Sequence, residues 1–174
     1  KILKSAGNKV WDAAEQAKRR NFFQYATQEA ERAIGFDPGQ KDAREYLGYV
    51  KKGKKWVLDD EEAAKVKRSN VRGGANGKQE SEESFKQRIE DWKEKYLKKA
   101  NEFVAAKYAV LGDDCAKKGH PLQARKGYEE SLRLDADKLH DLRDLGGKST
   151  LGKLCRTFHE QHDVFARNEL TQVV

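Results

Sequence analysis

The sequence predicts an all-α chain of helix-turn-helix units, with one small β-hairpin insertion and one long helix. Three observations predict it. Alanines and aromatic residues recur at three- and four-residue intervals through most of the chain, the period at which side chains share one face of a helix. Proline occurs only twice in 174 residues, at Pro38 and Pro121, so long helices can run unbroken. Only around Gly53 does a glycine separate two short β-capable runs.

The first helix is expected over residues 5–20, where Ala6, Val10, Ala13, Ala14 and Ala17 form one stripe. Asn21 breaks it. A second follows over 22–34, carrying Phe22, Phe23, Ala26, Ala30 and Ala33, and is expected to end in Gly35-Phe36-Asp37-Pro38-Gly39, because proline disfavours helical backbone in the residue before it. A short third helix is expected over 41–47. Tyr49 to Val57 then reads as the hairpin around Gly53. Asp59 or Asp60 can cap a helix over 61–68, whose acidic first turn suits the helix dipole.

Val71 to Lys78 holds three glycines and little apolar content, and reads as a flexible linker. The expected organisation is a first helical unit with the hairpin over 1–70, a linker over 71–79, and a second unit over 80–174. The longest helical signal, residues 81–118, has Phe85, Ile89, Trp92, Tyr96, Ala100, Phe103, Val110 and Leu111 on its stripe. It would be on the order of 55 Å long at the rise of an α-helix, long enough to brace its neighbours. Gly119-His120-Pro121 stops it. Helices over 122–134, after Asp135, and over 151–170 complete the expectation.

Charged residues make up 37% of the chain and hydrophobic residues another 37%, with mean hydropathy −1.00. That balance fits thin layers of helices with little enclosed interior. Lys and Arg exceed Asp and Glu by 36 to 29, a formal charge of +7. The excess is interleaved with acids rather than gathered on one tail, so it reads mainly as a solubility feature. Two cysteines, Cys115 and Cys155, make no disulfide framework. No apolar run approaches the ~20 residues of a membrane span, and Lys1-Ile2-Leu3-Lys4 has no signal-peptide core. The chain has no methionine at all, and the expectation is a segment of a larger protein.

Two stretches share one plan: helix, turn, second helix with small residues, then a turn containing Asp. In the clearer one, Tyr108, Leu111, Gly112, Cys115, Gly119, Ala124, Tyr128, Ser131 and Ala136 follow the spacing of a tetratricopeptide repeat, which this stretch resembles; Ala136 stands where the family usually has proline. Gly112 and Ala124 would let two antiparallel helices approach, Gly119 would make the turn, and Tyr128 would fill the groove. The other copy carries Val10, Ala13, Ala14, Ala17, Phe23, Ala26, Ala30, Ala33 and Pro38, with Asn21 at the turn-glycine position and Ala30 where an aromatic is usual. The two copies cover residues 7–38 and 105–137. Because one pair of helices leaves its faces uncovered, the short third helix and the helix after Asp135 read as first halves of following repeats. Leu47 to Glu62 is similar to a short module of large multi-domain bacterial proteins, where it follows such helices.

The resemblance implies a concave groove lined by the first helix of each repeat. That puts Asn8, Trp11, Glu15, Lys18 and Arg19 on it in the first copy, and Ala106, Ala109, Asp113, Ala116 and Lys117 in the second. Trp11 beside charged neighbours would anchor a peptide. The chaperone-binding branch of the family grips a carboxylate with Lys and Asn at positions held here by Trp11 and Glu15, then Ala109 and Asp113; acids there would repel a carboxylate, so that ligand is rejected.

The implied function is therefore non-catalytic: a scaffold that binds a protein or peptide in a helical-repeat groove, with no cofactor and no metal expected. Gly146-Gly147-Lys148-Ser149-Thr150 lacks the earlier glycine and the strand of a phosphate-binding loop. His159-Glu160-Gln161-His162 is one residue short of a zinc-protease motif, although Cys155, His159 and His162 would share a helical face with Asp163 alongside. The alternative function is nucleic-acid binding through the basic hairpin, where Lys51, Lys52, Lys54 and Lys55 stand beside Tyr49 and Trp56. A second alternative is a structural spacer between other domains. The sequence fixes neither oligomeric state nor compartment.

Overall fold

A computed structural model describes residues 2–75 and 81–135. The chain divides into two compact units, one spanning Leu3–Ala100 and the other starting at Asn101. The described part is mostly helical, with one two-stranded sheet.

The first unit opens with helices α1 (Lys4–Arg19) and α2 (Phe23–Phe36). Ala6, Val10, Ala13, Ala14 and Ala17 of α1 and Ala26, Ala30 and Ala33 of α2 are fully or almost fully buried. With so little side chain between them, the two backbones nest closely. At Gly7 an added Cβ would stand 2.7 Å from the Asp37 Cβ and 2.9 Å from the Ala33 carbonyl oxygen. Asn21 makes the turn in the left-handed region at φ 63, a conformation its short polar side chain tolerates better than others. Two backbone bonds close it, Phe22 N to Ala17 O at 2.9 Å and Asn21 N to Lys18 O at 3.0 Å, the pairing of a Schellman cap. Replacing Asn21 with valine is expected to cost about 1–2 kcal/mol, read as a lower urea midpoint, whereas glycine should hold the midpoint or raise it.

The second unit repeats this arrangement 98 positions later. Helix α6 (Lys98–Lys117), which begins in the first unit, turns at Gly119 (φ 73) into α7 (Pro121–Leu134). His120 N bonds Cys115 O at 2.9 Å and Gly119 N bonds Ala116 O at 3.1 Å, the same two cap bonds. Helix α7 has the 14 residues of α2, and each is capped at its C-terminus by an aspartate, Asp37 or Asp135. The closest approach differs between the copies. Here it is Gly112 against Gly127, where an added Cβ on Gly127 would lie 3.0 Å from Gly112 N and Cα. An added Cβ on Gly112 would meet the Ala124 carbonyl oxygen at 3.1 Å, so the two residues expected to face each other do so. Cys115, at a position of the repeat pattern, is half-buried.

After α2, Gln40 caps α3 (Lys41–Tyr46) by accepting a bond from Ala43 N at 2.9 Å. Strands β1 (Tyr49–Lys52) and β2 (Lys55–Leu58) pair antiparallel, with Lys52 opposite Lys55. The two-residue turn has Gly53 at φ 64, as a type II′ hairpin requires at its first position. Gly48, at φ 87, lets the ribbon leave α3 against α4 (Asp60–Ala75); a Cβ there would lie 2.5 Å from the Ala63 backbone. Asp59 caps α4, its carboxylate accepting from Glu61 N and Glu62 N at 3.1 and 3.2 Å.

Several boundaries move. α2 runs through Gly35 to Phe36, since the helical restriction imposed by Pro38 falls on Asp37. α4 continues to Ala75 and takes in residues 71–75 of the expected linker; glycine weakens a helix by about 1 kcal/mol but does not block it, and no proline intervenes. Residues 76–80 lie outside the described residues. The long helical stretch is present as α5 (Glu82–Trp92), a π-helical turn over Lys93–Leu97, and α6. The chain divides at Ala100 rather than at 71–79 because α5 and the π turn pack on α1 and α2. Trp92, 1% exposed, donates its indole N–H to Ala13 O at 3.2 Å and lies 5.4 Å from the Tyr25 ring. Phe22 meets Phe85 and Trp92 edge-on. Past the π turn the buried positions of α6 are Ala100, Val104, Ala105 and Gly112, while Val110, expected on the stripe, is 51% exposed. The helices expected after Asp135, with Gly146–Thr150 and the cluster of Cys155, His159, His162 and Asp163, lie outside the described residues.

Candidate functional site: the α1 face and the basic ribbon

Helical spacing sets Asn8, Trp11, Glu15, Lys18 and Arg19 along one side of α1. Asn8, Lys18 and Arg19 are exposed, and Trp11 and Glu15 are half-buried. The structure adds a residue that sequence reasoning missed. Tyr46, from the last turn of α3, is packed against α1 with its ring centroid 5.9 Å from that of Trp11, tilted by 54°. The Lys18 ammonium stands 5.1 Å from the same ring, a cation–π distance. Arg19 closes the end of the face by donating to Glu15 Oε1 at 2.9 Å. Trp11, Tyr46 and Lys18 thus form an aromatic step in which Trp11 is half-buried. Tyr46 was legible in principle, because the third helix reads as the first helix of a following repeat, the kind that lines such a face.

The second set lies on α6 in the other unit. Lys117, Ala106 and Ala116 are exposed and Ala109 is half-buried. Asp113 is engaged: its carboxylate accepts the Tyr128 hydroxyl bond at 2.8 Å. Tyr128, 2% exposed, lies over Gly112. That position therefore fixes the α6–α7 hairpin as well as facing outward.

The ribbon differs from the expectation in one respect. Tyr49 and Trp56 do not stand open beside the lysines. The Arg44 guanidinium, held by a bond to the Pro38 carbonyl at 2.6 Å, stacks 5.0 Å from the Tyr49 ring and 5.9 Å from the Trp56 ring. Lys51, Lys52, Lys54 and Lys55 are all exposed.

Among the groups whose proton affinity is shifted are Glu29 and Tyr96, both within the first unit. Burial pushes the Glu29 carboxyl above its usual range, against the opposing pull of Arg32, whose guanidinium donates to it at 3.1 Å. Burial also raises the Tyr96 phenol, but the Arg20 guanidinium, bonded to its oxygen at 3.1 Å, and nearby Lys95 outweigh that and hold it below its ordinary value. Among the described residues no cluster of His, Cys, Asp and Glu has metal-binding geometry, and no described helix is long and apolar enough to cross a membrane. No family model, curated protein or solved structure matches the chain.

Proposed function

We propose that the chain is a non-catalytic scaffold of tetratricopeptide-like repeats that holds a polypeptide on the α1–α3 face. The observation that carries this reading is Trp11: a large aromatic, half-buried beside Tyr46 and Lys18, where a core residue would be enclosed and a solubilising one would be charged. A rigid aromatic step flanked by charge is how hot-spot residues anchor a peptide. The repeat reading is supported by two helical hairpins with the same cap bonds, the same second-helix length and small residues at their crossings.

The test is binding of peptides recovered from a random phage library on the immobilised full chain. Alanine at both Trp11 and Glu15 is expected to weaken the recovered peptides at least 10-fold, the size of a hot-spot loss above about 1.4 kcal/mol, while circular dichroism is unchanged. A spacer would yield no selected peptide, and peptides indifferent to both substitutions would place binding elsewhere.

A further inference from the structure

We infer that the β1–β2 ribbon is a second binding site, separate from the α1–α3 face, whose tip enters the groove of duplex nucleic acid and grips its phosphates without reading bases. The first support is electrostatic. Some lysines of the described helices pair with a carboxylate three or four positions away, among them Lys9 with Asp12, Lys41 with Glu45, Lys65 with Glu62, Lys86 with Glu82, Lys93 with Glu90, Lys98 with Glu94 and Lys118 with Asp114. Lys51, Lys52, Lys54 and Lys55 have no such partner among the described residues. Four exposed cations fall within the five residues 51–55, a local run of positive charge in a chain whose net charge is +7.

The second support is geometric. Alternation along the paired strands puts Lys51 on the face with Tyr49 and Trp56, and Lys52 and Lys55 on the face with Val50 and Val57; Lys54 is in the turn. Charge thus projects from both faces and from the tip. A membrane surface or a single acidic strand would be met by one face, whereas a groove presents phosphates on both sides. A two-stranded ribbon, with strands about 4.8 Å apart, fits a major groove about 12 Å wide. The acids Asp59, Asp60, Glu61 and Glu62 stand at the opposite end of the ribbon, beyond the Tyr49–Leu58 pair, so only the tip can approach a polyanion. Arg44 stands against both Tyr49 and Trp56, so the proposed contact rests on the four lysines and the phosphates.

The experiment titrates the full chain into a fluorescent duplex of about 20 base pairs at salt from about 50 to about 200 mM. Four phosphate contacts predict a log–log slope of about −3.6, an affinity loss on the order of 100-fold across that range. Glutamine at all four lysines should abolish binding, and each single Lys→Gln should make the slope shallower by about 0.9. The doubly substituted Trp11→Ala, Glu15→Ala chain should bind the duplex as the parent does, which separates failure here from failure of the peptide site. No duplex binding at the lowest salt would overturn the proposal. So would equal or tighter binding to poly-glutamate or to phosphatidylserine vesicles, or duplex binding that survives the fourfold substitution.

Discussion

Alanine at Trp92 is expected to cost about 3–5 kcal/mol, the range for truncating an enclosed large aromatic. This is a large part of the stability of an ordinary domain. Trp92 is where α5 is held to the α1–α2 hairpin: its ring is enclosed by Phe22 and Tyr25, and its indole N–H reaches the Ala13 carbonyl. Ala13 belongs to a stripe of small residues that leaves room for nothing else to replace the ring. Urea denaturation should show the midpoint falling steeply, and amide exchange should accelerate in α5 and the π turn before it does in α1 and α2. Trp92→Phe, which keeps a ring but loses the N–H donor, should fall between the two. A loss under about 1 kcal/mol for the alanine variant would mean that α5 does not hold the first unit together.

The second large effect is expected at Gly112. A Cβ there would stand 2.6 and 2.7 Å from two carbons of the Tyr128 ring, distances that real side chains do not adopt. Tyr128 cannot swing away cheaply, because it is enclosed and its hydroxyl is bonded to Asp113. Gly127 on the opposite helix leaves little room for relief in the other direction, since even a Cβ on Gly127 would stand 3.0 Å from Gly112 N and Cα. Gly112→Ala should therefore cost about 1–3 kcal/mol, the usual range for overpacking, and Gly112→Val more. The mechanism has a signature beyond the loss itself. In a Tyr128→Leu background the Gly112→Ala penalty should shrink, giving a non-additive cycle with coupling of about 0.5–3 kcal/mol. Additive losses would show that the glycine is needed for some reason other than the ring above it.

These two sites show what the sequence made legible. The pair Gly112 and Ala124 was readable because small residues at fixed spacing have one strong physical meaning, the close approach of helices. The turn at Gly119 was readable for a related reason, since only glycine enters left-handed backbone without cost. Asn21, a departure from the repeat pattern, does the glycine's work in the first copy and builds the same cap. The ribbon was readable from one glycine between two β-capable runs.

Other features were hidden because they depend on tertiary partners. Trp92 lay on a visible stripe, but nothing local says that its N–H finds a carbonyl 79 positions earlier. Tyr46 had one local clue, the reading of its helix as the first half of a following repeat, but its place beside Trp11 and Lys18 comes from how α3 returns onto α1. The reach of α4 through Gly73 and Gly74 was missed because glycine content lowers helix propensity without forbidding it. The division of the chain at Ala100 was missed for a different reason: composition marks a glycine-rich stretch, while packing decides which helices belong together. Burial of Glu29 against Arg32 is a further case, a charge pair whose cost is set by its surroundings rather than by its spacing.

The chain's three tryptophans report on its three kinds of environment: Trp92 in the enclosed core, Trp56 on the ribbon under Arg44, and Trp11 on the α1–α3 face. Their indole N–H resonances, followed by two-dimensional NMR while a library-selected peptide is added to the full chain, test the scaffold reading directly. The Trp11 signal should shift with saturation, and the other two should stay in place. A Trp11 signal that never moves, while the peptide binds and perturbs Trp56 alone, would contradict it.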